Sequence, residues 1–323
     1  MTQFARPITA AFLSLLTMMS AASAQTYPSR PIHIIIPSNP GGTLDLIGRV
    51  LGQKFSESLK QPVIIDNRPG ASSIIAAVQT ARAAPDGYTL LIGSVGAFAI
   101  NIVTFKKLPY RVTDFAPISL IGDAEYLLAV HPSVPAKTLQ EFIALAKSRP
   151  GEISYGSFGL GGVSHMFAEA FSLQAGVRML HVPYKSAPDA MNGLVSGQVM
   201  ALFDAMPVML PQVRANRVRV LANGAEKRSP VAPDIPTFTE AGLRGFTTIG
   251  WFALVTTANT PPDVITLLHA ETVKALGELD VRKRFESIGL RVVGSSPDEL
   301  AAQIRRDIKI YGEVARAANI QIE

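Results

Sequence analysis

The sequence predicts an α/β protein of two lobes. Strand-like and helix-like patterns alternate along most of the chain, and 323 residues suit two domains of ordinary size. Two extended apolar stretches, Leu120 to Val130 and Gly250 to Thr256, have the character of crossovers between lobes. We therefore expect one lobe from residues 25–125 plus 250–323 and another from residues 126–249. A single large sheet is the alternative.

The N-terminal residues have the three-part pattern of a secretory signal peptide. Arg6 supplies positive charge, Ile8 to Met19 is uncharged and mostly apolar, and Ala22-Ser23-Ala24 is a small-x-small cleavage motif. The apolar run is shorter than the roughly 20 residues that a membrane span needs. We expect residues 1–24 to be removed, so that the exported chain begins at Gln25.

Short apolar or β-branched runs predict the strands, and each is bounded by Pro, Gly or polar residues. Continuous apolar strands between amphipathic helices are typical of a parallel sheet covered on both faces, which is the arrangement we expect. In chain order, strands are predicted at residues 32–36, 62–66, 88–92, 126–130, 153–156, 180–184, 199–203, 218–222 and 251–255.

Apolar residues at helical spacing predict the helices, as at Leu44, Ile47 and Leu51. Residues 229–245 are rich in Pro and Gly, which predicts a loop with one short helix. In chain order, helices are predicted from about residue 44 to Phe55 and at residues 73–84, 138–148, 163–174, 187–195, 262–276 and 297–318.

Composition excludes several functional classes. The chain has no cysteine, so disulfides, thiolate metal sites and a cysteine nucleophile are excluded. Its five histidines show no HxxxH or HExxH spacing, which gives zinc little support. The pI near 9.4 comes from dispersed Lys and Arg residues, whereas nucleic-acid binders concentrate basic charge. We expect no metal, no cofactor and no nucleic-acid partner.

The first of three glycine-rich loops, Pro37 to Thr43, joins a buried strand to an amphipathic helix. The first amides of a helix have no partner within it, and glycine lets an anion approach them closely. The alternative is an ordinary βα turn, in which Asp45 in the first turn of the helix is favoured by the helix dipole. The candidate binding residues here are Asn39, Gly41, Gly42, Thr43 and Asp45.

The second loop, Gly156 to Gly162, has the same position between a strand and a helix, but in the other lobe. The alternative is a Rossmann dinucleotide-binding loop with the pattern GxGxxG. The loop fits this pattern poorly, because Ser164 stands at the position of the third glycine and no acidic residue for a ribose follows the next strand. His165, in the first turn of the helix that follows, is a candidate ligand contact, and a core or helix-start role is its alternative. The candidates are Ser157, Phe158, Gly161, Gly162, Ser164 and His165.

Two further polar residues follow apolar strands. Ser94, in the third glycine-rich loop, Gly93 to Gly96, could contact a ligand or cap a helix. Asp204 could cap a helix, pair with a base, or accept a hydrogen bond from a ligand hydroxyl or amine. In α/β proteins ligands bind outside the carboxyl ends of strands, where all three glycine-rich loops fall. Two anion-ready helix ends on separate lobes therefore indicate a ligand held in a cleft between them.

The sequence resembles the Bug family, the extracytoplasmic solute receptors of tripartite tricarboxylate transporters, over nearly all of the exported chain. The segments that carry the resemblance include residues 27–32 (YPSRPI), 40–42 (PGG), 63–71 (VIIDNRPGA), 84–90 (APDGYTL), 181–185 (HVPYK), 203–204 (FD) and 240–243 (EAGL). The sequence departs from the usual family pattern at Ser38-Asn39, at Ser72-Ser73 and Ala76, and at Ser186.

The resemblance implies a type II periplasmic binding-protein fold, with a hinge and a ligand cleft between the lobes. It implies that the loops at Pro40 to Asp45 and Gly156 to His165 hold a ligand carboxylate, partly through water. The expected ligand is a small mono- or dicarboxylate, with aromatic acids and amino acids among the candidates. The expected protein is a periplasmic monomer without enzymatic activity. Its expected partners are the membrane components of a transporter or a sensor kinase. An α/β hydrolase or dehydrogenase is the alternative, although no nucleophile–base set is evident.

Overall fold

A computed structural model describes residues 27–317 and 320–323; the predicted signal peptide lies outside them. Ten strands form one continuous mixed sheet. They are β1 (Ile32–Ile36), β2 (Val63–Asn67), β3 (Thr89–Ser94), β4 (Phe115–Val130), β5 (Ser154–Ser157), β6 (Leu180–Pro183), β7 (Ala201–Ala205), β8 (Arg219–Asn223), β9 (Ile249–Thr257) and β10 (Leu290–Val292).

Helices cover the sheet. They are α1 (Thr43–Leu59), α2 (Ile74–Ala81), α3 (Asn101–Thr104), α4 (Leu139–Ser148), α5 (Val163–Ala175), α6 (Ala187–Val195), α7 (Met206–Arg214), α8 (Pro262–Gly277), α9 (Leu279–Glu286) and α10 (Pro297–Ala317). A π-helical turn, Gly96–Ile100, runs directly into α3. No helix within the described ranges combines the length and apolar character needed to cross a bilayer.

The sheet is mixed, so the prediction of a parallel sheet was wrong in part. Strands β2, β1 and β3 are mutually parallel, as are β6, β5 and β7. The central strands β4 and β9 run antiparallel to each other and to their outer neighbours. Both are almost fully buried, so their apolar runs resemble those of parallel strands. Burial fixes that pattern, and strand direction does not alter it.

Strand β4 links the two halves of the sheet. Its residues up to Glu125 pair with β9, whereas Tyr126 onwards pairs with β7 and β8. The return crossover is at Ile249, which pairs with Glu125. The two half-sheets are the cores of two lobes, here called lobe 1 (β1, β2, β3, β9 and β10) and lobe 2 (β5 to β8). We propose that the lobes divide at residues 125/126 and 249/250.

Several local predictions were wrong. No helix forms within residues 229–245, which consist mainly of turns and bends. One of the backbone hydrogen bonds there runs from Leu243 N to Phe238 O. Helix α7 was not predicted; it has Pro207 at its start, where proline is tolerated, and Pro211 in its interior. The short α9 and β10, and the helical residues after Ser94, were also not predicted.

The C-terminal helix α10 packs behind the hinge. It contacts β4 and the helical segment after Ser94. Tyr311 on α10 also approaches Phe167 on α5 of lobe 2, with ring centroids 6.4 Å apart. The helix therefore packs against both the crossover strand β4 and helix α5 of lobe 2.

Candidate functional site

A cavity of about 60 Å³ lies between the lobes, at the carboxyl ends of β1, β3 and β7. Lobe 1 contributes the loop before α1, and lobe 2 contributes Phe158, Asp204 and the start of α6. A larger apolar depression of about 660 Å³ lies between α5, residues 245–249 and α10. We consider the smaller cavity to be the candidate site because polar groups from both lobes converge on it.

Five helical segments begin around this cavity. Their first residues, or the residues that precede them, line its wall: Gly42 and Thr43 (α1), Ser73 (α2), Ser94 (the segment that continues into α3), Ser186 and Ala187 (α6), and Ala205 (α7). The first amides of each helix lack partners within that helix and carry partial positive charge. Their convergence follows from the α/β topology, because strands end and helices begin at the same edge. The cavity is therefore suited to an anion.

Three buried side-chain oxygens on the cavity wall have no hydrogen-bond partner among the described residues: Ser38 Oγ, Thr43 Oγ1 and Asp204 Oδ2. A buried polar atom without a partner costs free energy. Ser38 and Thr43 belong to lobe 1, and Asp204 belongs to lobe 2. Polar groups on both walls are thus available to a molecule held between the lobes.

The loop before α1 has an open helix end. Gly42 is the N-cap residue, with φ −80° and ψ 168°, and no side chain caps the helix. The first backbone hydrogen bond of α1 runs from Leu46 N to Gly42 O at 3.0 Å. The amides of Thr43, Leu44 and Asp45 precede that bond, so they are the groups that an anion at Gly42 would meet.

Asp45 lies behind this loop and fixes its shape. Its carboxylate accepts hydrogen bonds from Gly41 N at 3.0 Å, Arg49 Nε at 2.9 Å and Asn67 Nδ2 at 3.0 Å. Burial opposes ionisation of Asp45, but these donors outweigh burial and hold its pKa below the usual value. Because its oxygens are engaged within the chain, we propose that Asp45 positions the loop and does not contact the ligand.

The second loop is held by its own side chains. Ser157 Oγ donates to Gly159 O at 3.1 Å, and Ser164 Oγ accepts from Phe158 N at 3.1 Å. Gly161 N donates to His165 Nδ1 at 3.0 Å. The hydroxyls of Ser157 and Ser164 are therefore occupied within the loop. Phe158, by contrast, lines the cavity.

Two glycines bring the second loop close to lobe 1. Gly161 has φ +65°, and a β-carbon there would lie 2.4 Å from Ile322 Cδ1. Gly162 is the N-cap residue of α5, which also lacks a side-chain cap. A β-carbon on Gly96 would lie 3.8 Å from Val163 N, so the start of α5 abuts the helical turn after Ser94. Neither Gly161 nor Gly162 lies on the cavity wall itself.

Two histidines stack behind the second loop. The rings of His165 and His181 are 4.0 Å apart and nearly parallel, and His181 Nε2 lies 2.6 Å from Ser157 Oγ. Burial, followed by the neighbouring His165, lowers the pKa of His181 to about 3. Burial also lowers the pKa of His165, against the opposing effect of Glu169. Both rings are neutral near pH 7.

A serine beside a histidine is also the arrangement of a nucleophile and its base. Ser157, however, is fully buried and does not line the cavity. The pair holds the loop in place, which is the structural role. The described residues contain no cluster of three His, Cys, Asp or Glu that could hold a metal ion.

Sequence reasoning missed several wall residues. Lys185 lies exposed at the cavity rim, and Ser38, Ser73, Tyr126, Ser186 and Phe252 complete the lining with Pro37, Leu44, Ala187 and Ala205. Lys185 ends the HVPYK segment after β6, so its position after a strand could have identified it. Of the predicted residues, Gly42, Thr43, Ser94, Phe158 and Asp204 line the cavity. Ser94 Oγ also accepts from Gly96 N at 3.3 Å, which supports its capping role.

Direct hydrogen bonds join the lobes across the cleft. Asn39 Nδ2 donates to Ser186 Oγ at 3.1 Å and to Asp189 Oδ2 at 3.2 Å, a set that we call the latch. Separately, Ser72 Oγ donates to Leu160 O at 2.6 Å. Asn39, Ser72 and Ser186 are among the positions where the sequence departs from the usual family pattern. These departures therefore lie where the two lobes meet.

Two α/β lobes joined by crossover strands, with helix starts from both lobes around an interlobe cavity, define the periplasmic binding-protein fold. Residues 47–320 match the family described as "Tripartite tricarboxylate transporter family receptor". The chain belongs to this family, which confirms the resemblance seen in the sequence. It is a solute-binding receptor of that family.

Individual relatives agree over nearly the whole chain. Protein BugT of Bordetella pertussis is 34% identical over 97% of this chain and 96% of its own length. The solved structure of R. palustris Rpa4515 with adipate has 33% identity and a TM-score of 0.89, over 91% of this chain and 99% of that one. MatC from Rhodopseudomonas palustris with bound malate has 32% identity and a TM-score of 0.86, over 89% and 99%.

Proposed function

We propose that this receptor captures a small carboxylate in the interlobe cavity. The observation that carries the proposal is a set of three buried side-chain oxygens within a ring of helix starts. Those of Ser38, Thr43 and Asp204 have no hydrogen-bond partner among the described residues. A carboxylate accepts hydrogen bonds from hydroxyls and from helix-terminal amides, and the helix dipoles favour its charge. Malate and adipate, named with the two solved relatives, are carboxylates of suitable chemistry.

We propose that backbone groups carry much of the recognition. The amides that follow Gly42 and the hydroxyls of Ser38 and Thr43 would hold one carboxylate, with water bridging the remaining distances. Phe158, Tyr126 and Phe252 would contact the apolar part of the ligand. Lys185 at the rim would attract the anion, although an exposed ammonium contributes little affinity by itself.

We propose that the second loop acts mainly as a support. Ser157, Ser164 and His165 would fix the direction of Phe158 and of the α5 start, while Gly161 and Gly162 would allow close approach to lobe 1. We also propose that the protein has no catalytic role, since neither Ser157 nor His181 lines the cavity.

The cellular role follows from the same proposal. Residues 1–24 would direct export to the periplasm, and intact mass of the exported protein should correspond to a chain beginning at Gln25. There it would act as a monomer and pass its ligand to the membrane components of a tripartite transporter, or report it to a sensor kinase.

A thermal-shift screen tests the ligand class. Malate, adipate and succinate are the first probes, with matched sugars and amines as controls. We expect at least one carboxylate to raise the melting temperature by several degrees, because a molecule that binds only the folded state stabilises it by about 2.7 kcal/mol at a hundredfold excess over Kd. Stabilisation by sugars or cations alone would contradict the proposal.

The latch gives a second prediction. Replacing Asn39 by alanine removes two hydrogen bonds between the lobes, each with a net value of about 1 kcal/mol. Since these bonds exist only when the lobes meet, their loss lowers the closed population and should weaken carboxylate binding roughly tenfold. Calorimetric titration measures the affinity, and small-angle scattering should show a larger radius of gyration.

The matched control is Gln53→Ala, which removes an exposed hydrogen bond to Glu57 on α1, away from the cleft. Its affinity and radius should equal those of the unmodified protein. Unchanged affinity of Asn39→Ala would mean that the latch does not contribute to closure.

A further inference from the structure

Two carboxyl groups of the described chain, those of Glu125 and Asp204, have a buried oxygen without a hydrogen-bond partner, but of the two only Asp204 lines the interlobe cavity. Asp204 lies at the end of β7 and is 2% exposed. One oxygen, Oδ1, accepts a hydrogen bond from Ala205 N at 2.7 Å. The other, Oδ2, is buried and has no partner in residues 27–317 and 320–323. One backbone amide is therefore the only hydrogen-bond donor that the described chain gives to this carboxyl group.

No cation of the described chain is paired with Asp204. The neighbouring strand β4 carries the titratable residues Asp123, Glu125 and Tyr126. Burial, followed by the negative charge of Asp204, raises the pKa of Tyr126. Lys185 lines the same cavity, but among the ion pairs of the described residues there is none between Lys185 and Asp204. The other elements packed on β7 carry Tyr155 (β5), His165 and Glu169 (α5), Asp189 (α6) and Arg214 (α7), none of them among its hydrogen-bond partners.

We propose that Asp204 is a specificity-determining residue that enters the complex as a neutral carboxylic acid and donates its Oδ2 hydrogen to a carboxylate of the bound anion. This inference rests on the proposed capture of a carboxylate. Above neutral pH the proton comes from solvent and binds to Oδ2 as the ligand enters. When the ligand leaves, the proton returns to solvent. Capture is therefore coupled to the uptake of one proton.

The physical reason is the size of the cavity. A ligand carboxylate that enters a cavity of about 60 Å³ lies next to the Asp204 carboxyl group on its wall, and two adjacent carboxylates cannot both remain ionised at low cost, so they share a proton. Burial supports this state, because it raises the pKa of Asp204 to about 7 against the opposing hydrogen bond from Ala205. The protonated carboxyl group then supplies a hydrogen-bond donor at the end of β7 on the lobe 2 wall.

An ionised Asp204 that accepts from an ammonium or hydroxyl group of the ligand is the competing arrangement. The two arrangements predict opposite pH dependence. A neutral acid binds best at low pH and loses affinity as the pH rises. An ionised acceptor gains affinity over the same range.

The test is calorimetric titration with adipate and malate at pH 6, 7, 8 and 9, each in two buffers of different ionisation enthalpy. Carboxylates of this type are already ionised above about pH 6, so the probes themselves take up no proton. We expect proton uptake close to one per ligand at pH 8 and above, and much less at pH 6. Affinity should fall up to tenfold per pH unit above about pH 7.

Asp204→Asn supplies a non-titrating donor of the same shape. It should bind within about threefold of the unmodified protein at pH 6, take up no proton, and keep its affinity at pH 9. Lys185→Met is the matched control, which should weaken binding without changing proton uptake. Circular dichroism verifies folding of both variants.

Proton uptake near zero at pH 8 in the unmodified protein would overturn the inference, and this measurement needs no variant. Affinity that rises with pH, together with large loss of binding in Asp204→Asn, would assign the acceptor role instead. If neither probe nor any other carboxylate binds the unmodified protein, the proposed function itself fails, which is a separate outcome.

Discussion

Gly42→Val is expected to weaken carboxylate binding by about a hundredfold or more, while the melting temperature stays within about 4 °C of the unmodified protein. Gly42 has φ −80° and ψ 168°, which any residue can adopt. A β-carbon there would lie 3.3 Å from Ser38 Oγ and 3.7 Å from Pro188 Cδ of lobe 2. The two methyl groups of valine would therefore fill the space through which an anion reaches the α1 amides and would hold the lobes apart.

Calorimetric titration with adipate and malate measures the affinity, and thermal melting measures the stability. Gly277→Val is the matched control, because a β-carbon at Gly277 would meet no atom within 4 Å. That variant should bind normally. Full-strength binding by Gly42→Val would remove the first loop from the site and contradict capture between the two lobes.

The stacked histidines are expected to make the protein less stable as the medium becomes acidic. The pKa of His181 is about 3 in the folded protein, against 6.5 for an unperturbed histidine. Between these values the unfolded chain binds more protons than the folded chain, so stability rises with pH. The contribution is complete above pH 6.5 and is lost as the pH falls toward 3, at up to about 1.4 kcal/mol per pH unit. His165 acts in the same direction.

His181→Phe isolates this effect, since it keeps a ring against His165 and Tyr155 but does not titrate. Denaturant unfolding at pH 4 to 8 should give a stability difference, unmodified minus variant, that grows with pH up to 6.5. Leu279→Ala, which shortens an exposed and non-titrating side chain on α9, is the control and should give a constant difference. A constant difference for His181→Phe as well would mean that its ring is not desolvated in the folded state.

Asp204 acts on stability in the opposite sense. Its pKa is about 7 in the folded protein and 3.8 unperturbed, so the folded chain binds more protons between these values. Stability from this residue therefore falls as the pH rises from about 4 to 7. The residue that we assign to the ligand is thus costly to the empty fold when ionised, as is typical of functional sites.

The local signals in the sequence predicted most elements because they depend on neighbouring residues. The apolar run Ile32–Ile36 predicted β1, and the helical spacing from Leu44 predicted α1. In both cases the predicted first residue lies within one residue of the observed one. Helix α6 was predicted at its observed bounds, Ala187–Val195. Helix α7 was not predicted, and it contains Pro211, a residue that disfavours helix interiors.

Sequence by itself determined the two-lobe α/β class, the family and the placement of both glycine-rich loops before helices, because periodicity and motif spacing are local properties of the chain. Only the tertiary structure decided which candidates face the cleft. It placed Asn39 beside Ser186 and Asp189, engaged the hydroxyls of Ser157 and Ser164 in hydrogen bonds within their loop, and gave Asp204 Oδ2 no partner among residues 27–317 and 320–323. The physical reason is that hydrogen-bond satisfaction and desolvation depend on residues far apart in the chain, which packing alone brings together.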